Sequence, residues 1–182
     1  LWFLRNPKRP MPKEGILSPA DGTIARIIPF KGASIGIEKG HLGKIRAWTG
    51  DVAKEGQAIV IVMTPMDMHF QKAPCDARVM GVRHARGKFL NAVTGARSLR
   101  ATFENENNAI LLDTKHGRMK VIQIAGFLCR RIICMVRPGQ KVKRGQDLGL
   151  IRLGSQVCLI MPKMRLKVKE GQHVLAGKTV IA

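Results

Sequence analysis

The sequence predicts a mainly β fold, a sandwich or half-barrel with hammerhead-like turns and few short helices. Three observations carry this expectation. Short apolar segments recur about every 8 to 12 residues between Gly, Pro or Asp-Gly, the rhythm of an all-β domain rather than a βαβ array. Helical periodicity is scarce, and its best stretch, residues 88–98, is weak. One turn motif also occurs twice. The 182 residues suit a single domain, large enough to bury roughly two thirds of its unfolded surface.

Taken in order, the apolar segments are 24–28, 59–63, 109–112, 121–125, 132–136 and 157–161. Asp21-Gly22 precedes the first and is a hairpin-turn signal, because a type I′ turn needs positive φ at both central positions. The repeated motif is G-Q-x-V-x-x-G. Gly139-Gln140-Lys141-Val142-Lys143-Arg144-Gly145 is echoed 32 residues later by Gly171-Gln172-His173-Val174-Leu175-Ala176-Gly177. Val142 and Val174 are expected to point inward between two tight glycine turns. Turns of this kind recur in lipoyl- and biotinyl-type carrier modules. Met161-Pro162-Lys163-Met164 faintly resembles a biotin-accepting hairpin, but Lys163 lies only eight residues before Gly171, where the carrier hairpin needs roughly twenty. A carrier module is thus the weakest of three readings, and Lys163 reads as a solvated turn residue.

Charge bears on partners. There are 32 Lys or Arg against 12 Asp or Glu, a net charge of +20, which directs the chain to polyanions or an anionic surface. The longest apolar run, 58–63, has six residues, against about 20 needed for a membrane span. Leu1-Trp2-Phe3-Leu4 followed by Arg5, Lys8, Arg9 and Lys13 resembles the cytoplasmic end of a span lying upstream, and equally an ordinary fragment boundary. A basic β-barrel that binds nucleic acid is the second reading. It rests on charge alone, because the eight aromatics are scattered and no recognised nucleic-acid motif is present. The four cysteines (Cys75, Cys129, Cys134, Cys158) form no C-x-x-C and the five histidines no H-x-x-x-H, so free thiols and no metal site are expected.

Chemistry could begin at Gly154-Ser155, which stands between two apolar strand-like runs. Gly inside such a run marks a bulge or strained bend. A strained carbonyl beside a hydroxyl is the geometry an N→O acyl shift requires, after which β-elimination cuts the chain and leaves a dehydroalanine that hydrolyses to a pyruvoyl group. A Gly-Ser dipeptide alone is weak evidence. It closes the last of six segments that occur in order: Arg5-Asn6-Pro7-Lys8-Arg9, Ser18-Pro19-Ala20-Asp21-Gly22, the stretch from Met66 through His69 to Pro74, His84 through Ala92 with Glu104 to Asn107, Gln123-Ile124-Ala125-Gly126 with Arg130-Arg131-Ile132, and Gly145 through Ser155. This collinear set resembles the phosphatidylserine decarboxylase family, in the compact branch found in archaea and many bacteria, including archaetidylserine decarboxylases.

That resemblance implies a proenzyme that cuts itself at Gly154-Ser155 into a β chain, 1–154, and an α chain, 155–182, which stay associated. Ser155 becomes the pyruvoyl cofactor, which takes the serine amine of the lipid as a Schiff base during decarboxylation to the ethanolamine phospholipid. His69 and Asp21 are the implied assistants in processing and proton transfer, with His84 second to His69 as the base. Lys72 stands where the longer branch carries a second His, and Gln156 replaces the Thr after the cleaved Ser. Expected partners are an anionic serine phospholipid and an anionic membrane surface, at the cytoplasmic face of the cell membrane. Nucleic acid is not expected, and homo-oligomer formation stays open, as does the choice between phosphatidylserine and its archaeal counterpart.

Overall fold

The structure, a computed structural model, describes residues 4–38, 44–85, 106–125, 131–152 and 155–182. Strands dominate, and the described residues contain no α-helix. The weak helical stretch at 88–98 lies outside them. So do Gly154, Cys129, the segments 92–105 and 126–130, and most of the amino-terminal apolar cluster. No helix among the described residues is long and apolar enough to cross a membrane.

Thirteen strands are described, β1 (Gly22–Lys31), β2 (Ser34–Glu38), β3 (Lys44–Trp48), β4 (Glu55–Met63), β5 (Phe70–Lys72), β6 (Ala77–Ala85), β7 (Asn107–Thr114), β8 (Gly117–Ile124), β9 (Ile132–Cys134), β10 (Lys141–Val142), β11 (Asp147–Ile151), β12 (Ser155–Pro162) and β13 (His173–Val174). Eight form one curled sheet, a half-barrel of order β10-β6-β7-β8-β12-β4-β1-β13. A small sheet, β5-β11-β9, and the hairpin β2-β3 complete the architecture. The predicted fold class is correct, and the six apolar segments fall in β1, β4, β7, β8, β9 and β12. The fifth forms a shorter strand than its sequence run, ending at Cys134.

The near-continuous apolar runs have a direct cause. Along β12, Val157, Leu159 and Met161 enter one core, while Cys158 and Ile160 enter another on the opposite face. β4 does the same, with Ile59, Ile61 and Met63 on one side and Ala58 and Val60 on the other. A strand buried on both faces has no polar side to alternate. The larger core lies between the half-barrel and the small sheet, which contributes Leu148, Ile151 and Ile132. The smaller core includes Ile35 and Ala47 of the β2-β3 hairpin. Burial pushes the Cys158 thiol up to about 12, so this cysteine is an inert core residue.

The repeated turn is one part of an internal duplication. Gly171 N–H donates to Ile24 O (2.8 Å) and Ile24 N–H to Gln172 O (2.9 Å). Likewise Gly139 N–H donates to Val79 O (2.7 Å) and Val79 N–H to Gln140 O (2.8 Å). Gly177 N–H reaches Ser18 O, and Gly145 N–H reaches Ala73 O. The segment Ser18-Pro19-Ala20-Asp21 therefore corresponds to Ala73-Pro74-Cys75-Asp76. The bonds joining the copies are reciprocal, Leu17 N–H to Pro74 O and Lys72 N–H to Pro19 O, both 2.8 Å. All four motif glycines have positive φ, between 69° and 85°, and Val142 and Val174 are buried as expected. The copies close the two edges of the large sheet, β10 on β6 and β13 on β1, which leaves fewer unpaired strand edges.

Asp21-Gly22 does not close a hairpin. It opens β1, which pairs with β4 and β13 rather than with a strand just before it. Glycine is needed there for a different reason. Gly22 has φ +141°, and a Cβ on it would sit 2.3 Å from Val62 O. Gly22→Ala is expected to cost about 2–4 kcal/mol, lowering the thermal midpoint by roughly 5–15 °C. Scanning calorimetry checks this.

Candidate active site

Three adjacent strands of the half-barrel meet the small sheet at one end. In β12 and β4 the register sets Ser155 opposite Met63, and in β4 and β1 it sets Val62 opposite Thr23. The head of β12, the loop leaving β4 and the entry to β1 therefore converge. Ser155, His69 and Asp21 all belong to these segments, so the fold gathers three of the residues singled out from the sequence.

Ser155 is the first residue of β12 and only 3 % exposed. Its Oγ lies 3.3 Å from Met63 Sδ, a weak acceptor for a buried hydroxyl. Buried polar groups are normally matched with strong partners, so this contact gives Ser155 little structural reason to be there.

His69 is fully buried. Its Nδ1 lies 2.8 Å from the carbonyl of Asp67. A carbonyl only accepts, so Nδ1 carries the proton and Nε2 is the basic nitrogen of the neutral ring. Burial pushes the imidazole below its ordinary value. The Asp67 carbonyl and the charges of Asp67 and Asp21 oppose that push, and Arg5 adds to it. The neutral form prevails at neutral pH. The loop from Thr64 to His69 is fixed at its base, where Thr64 N–H and Oγ1–H donate to Asp67 Oδ2 at 2.7 and 2.8 Å and His173 Nε2 lies 3.0 Å from Oδ1. Burial alone would raise the Asp67 carboxyl. The Thr64 donors and His173 outweigh it and hold the group below the usual carboxylate range.

Asp21 is 2 % exposed and fully engaged. Its oxygens accept from Arg9 at 2.5 and 2.7 Å, from Ala176 N–H at 2.8 Å and from Met68 N–H at 3.3 Å. The bond to Asp21 raises the Arg9 guanidinium's pKa against the opposing effect of burial. The duplication supplies an internal comparison. Asp76, the counterpart of Asp21, accepts Arg144 N–H at 2.8 Å, as Asp21 accepts that of Ala176. That shared bond is the turn's structural requirement. Among the described residues the bidentate Arg9 clamp and the bond to the peptide beside His69 occur in the Asp21 copy and not in the Asp76 copy, and they tie Asp21 to the end of the sheet that holds Ser155 and His69.

His84 sits apart from these three. It lies on β6, three strands from β12, or ~14 Å along the sheet at 4.8 Å per strand, and its Nε2 pairs with Glu106 at 3.0 Å. Lys72, at the position of the longer branch's second His, is ion-paired with Asp147 at 2.5 Å and donates to Asn6 at 2.8 Å. Its ammonium is thereby committed to a charge role.

Several neighbours escaped the sequence reading. A chain of buried amides runs from Asn108 to Gln123 (2.8 Å), from Gln123 to Gln71 (2.7 Å) and from Gln71 to the carbonyl of His69 (2.8 Å). Arg9, Gln71 and Gln123 lay within recognised motifs and His173 within the repeated turn, without a sign of their partners, while Met63 and Asn108 lay outside the motifs.

A family model described as "Phosphatidylserine decarboxylase" matches residues 1–182. The chain belongs to this family. The phosphatidylserine decarboxylase proenzyme of Geotalea uraniireducens is 35 % identical over 185 residues, covering 100 % of this chain and 77 % of its relative. The proenzyme of Burkholderia vietnamiensis is 35 % identical, at 99 % and 76 % coverage. A provisionally named archaetidylserine decarboxylase proenzyme of Methanothermobacter thermautotrophicus is 36 % identical, at 100 % and 79 %. As a phosphatidylserine decarboxylase family member the chain is an enzyme, a carboxy-lyase. The nucleic-acid and carrier readings give way to this finding. Lys163, the lysine of the carrier reading, is an exposed residue directly after β12.

Proposed function

We propose that the chain is a self-processing, pyruvoyl-dependent decarboxylase of a serine phospholipid. The observation that carries the reading is a buried Ser155 hydroxyl at the same end of the sheet as a buried, neutral His69 and the Asp21–Arg9 pair. In processing, Ser155 Oγ attacks the carbonyl of Gly154 as His69 Nε2 accepts its proton, and the amide becomes an ester. Removal of the Ser155 Cα proton breaks the Oγ–Cβ bond, releasing segment 1–154 with a terminal carboxylate. The dehydroalanine left on residue 155 takes up water and loses ammonia, which gives the pyruvoyl end.

The residues fit such a group. Ser155 is buried beside a thioether, and water is largely excluded. When present, the group offers a carbonyl for the serine amine and a sink for the electron pair left by departing CO₂. This chain's own residues do the rest. His69 Nε2 holds or returns a proton, Asp21 fixes the peptide at Met68, and the Gln71–Gln123–Asn108 chain pins the carbonyl of His69. Segment 155–182 stays associated after cleavage in this reading, because β12 pairs with β4 on one side and β8 on the other.

An anionic bilayer is the proposed partner. Lys163, Arg165, Lys167 and Lys169 are exposed, while the alternating Met164, Leu166 and Val168 pack against the larger core. The ribbon thus carries four cations on one side, ~7 Å apart. Each basic residue near an anionic leaflet contributes about 1 kcal/mol. Reversing all four charges is expected to weaken binding to vesicles containing 30 % anionic lipid by about a hundredfold or more. Unchanged sedimentation with vesicles would remove the ribbon from the docking surface. For the enzyme itself, CO₂ release from phosphatidylserine and archaetidylserine in micelles tests the activity and separates the two substrates.

A further inference from the structure

We infer that His173 is a positioning residue for His69, acting through Asp67. The inference rests on the reading above, in which His69 is the base. His173 stands in the second copy of the duplicated turn, where its counterpart is Lys141. Lys141 pairs only as part of the edge strand with β6, opposite Arg78. His173 occupies the same place on β13, opposite Thr23, and in addition reaches Asp67 Oδ1 at 3.0 Å. The shared fold therefore requires a residue there but not this contact.

The path to His69 is short. Asp67 is ionised and only accepts, so His173 Nε2 carries the hydrogen. The same Asp67 presents its carbonyl to His69 Nδ1 at 2.8 Å, which fixes the ring's tautomer and leaves Nε2 basic. Thr64 holds the other carboxylate oxygen at 2.7 and 2.8 Å. His173 thus secures the free side of the residue that orients the base. It also lies in segment 155–182, whereas Asp67 and His69 lie in segment 1–154. The contact therefore spans the proposed cleavage and links the base to the segment that begins at Ser155. The charged groups bearing on His69 are Asp67, Asp21 and Arg5, with His173 on the far side of Asp67.

The test compares the full chain with His173→Ala and His173→Gln. Three quantities are read: kcat and KM on phosphatidylserine in detergent micelles across pH, the fraction of chain cleaved, and the thermal midpoint. His173→Ala is expected to lower kcat about tenfold with KM within about twofold, the pattern of a mispositioned catalytic group. Its acidic limb should move to higher pH, because an Asp67 with one donor fewer holds the His69 proton more tightly. His173→Gln keeps a terminal N–H at similar reach and should recover most of kcat at an unchanged midpoint. Wild-type kcat and an unmoved limb in His173→Ala would overturn the inference, as would a loss that Gln does not rescue. The side chain is 54 % exposed, so truncation leaves the core intact. A wild-type chain that neither cleaves nor decarboxylates would instead defeat the functional reading itself.

Discussion

Ser155→Ala is expected to yield one uncleaved chain with no detectable decarboxylation. Alanine keeps the β12 backbone and its pairing with Met63, and it removes only an oxygen whose contact is a thioether sulfur. The fold should survive with an unchanged or slightly higher thermal midpoint, because a buried hydroxyl with a weak partner contributes little stability. Cleavage and activity should vanish together, since one atom supplies both the nucleophile and the origin of the carbonyl. A denaturing gel reads the first and CO₂ release the second. An uncleaved Ser155→Ala chain that still decarboxylates would separate the two functions and refute the scheme.

His69→Gln is expected to have the next largest effect. A positioned general base contributes about 10²–10⁴-fold, and Gln keeps the size and a donor to the Asp67 carbonyl without a basic nitrogen. Cleavage should slow by that order, and the fraction that does mature should turn over slowly as well. The wild-type pH profile carries the same information. Burial lowers the His69 pKa, so the neutral form persists below the ordinary imidazole value of about 6.5. Activity should therefore hold through neutral pH and fall only as pH drops below about 6.5. His84→Gln should leave both quantities within about threefold, because a surface residue paired with Glu106 three strands away lies far from the reacting atoms. If His84→Gln stops cleavage while His69→Gln does not, the roles are reversed.

The sequence revealed the fold where burial is two-sided or turn chemistry is specific. β4 and β12 read plainly because both faces are apolar, and the duplicated glycines announced the edge turns. The wider duplication stayed hidden, since its other arm shares only Pro and Asp between Ser18-Pro19-Ala20-Asp21 and Ala73-Pro74-Cys75-Asp76. Asp21-Gly22 was misleading for a local reason. A hairpin and a strand entry that skirts the Val62 carbonyl both call for Asp and a glycine of positive φ. At the site, Ser155, His69 and Asp21 were legible through motif order. Arg9, Gln71, Asn108 and His173 were not, because each acts through a partner between 12 and 106 residues away, or in a chain of such partners. A polar side chain on a strand reads as surface until its register is known.

The proposed cut at Gly154-Ser155, which converts Ser155 into the reactive carbonyl, meets its most direct test in the intact mass of the wild-type protein under denaturing conditions. Two polypeptides are expected, 1–154 and 155–182, with the smaller lighter by one ammonia than simple hydrolysis would leave it. A single chain of 182 residues from a preparation that releases CO₂ from phosphatidylserine, or a 155–182 fragment bearing an intact amino-terminal serine, would contradict it.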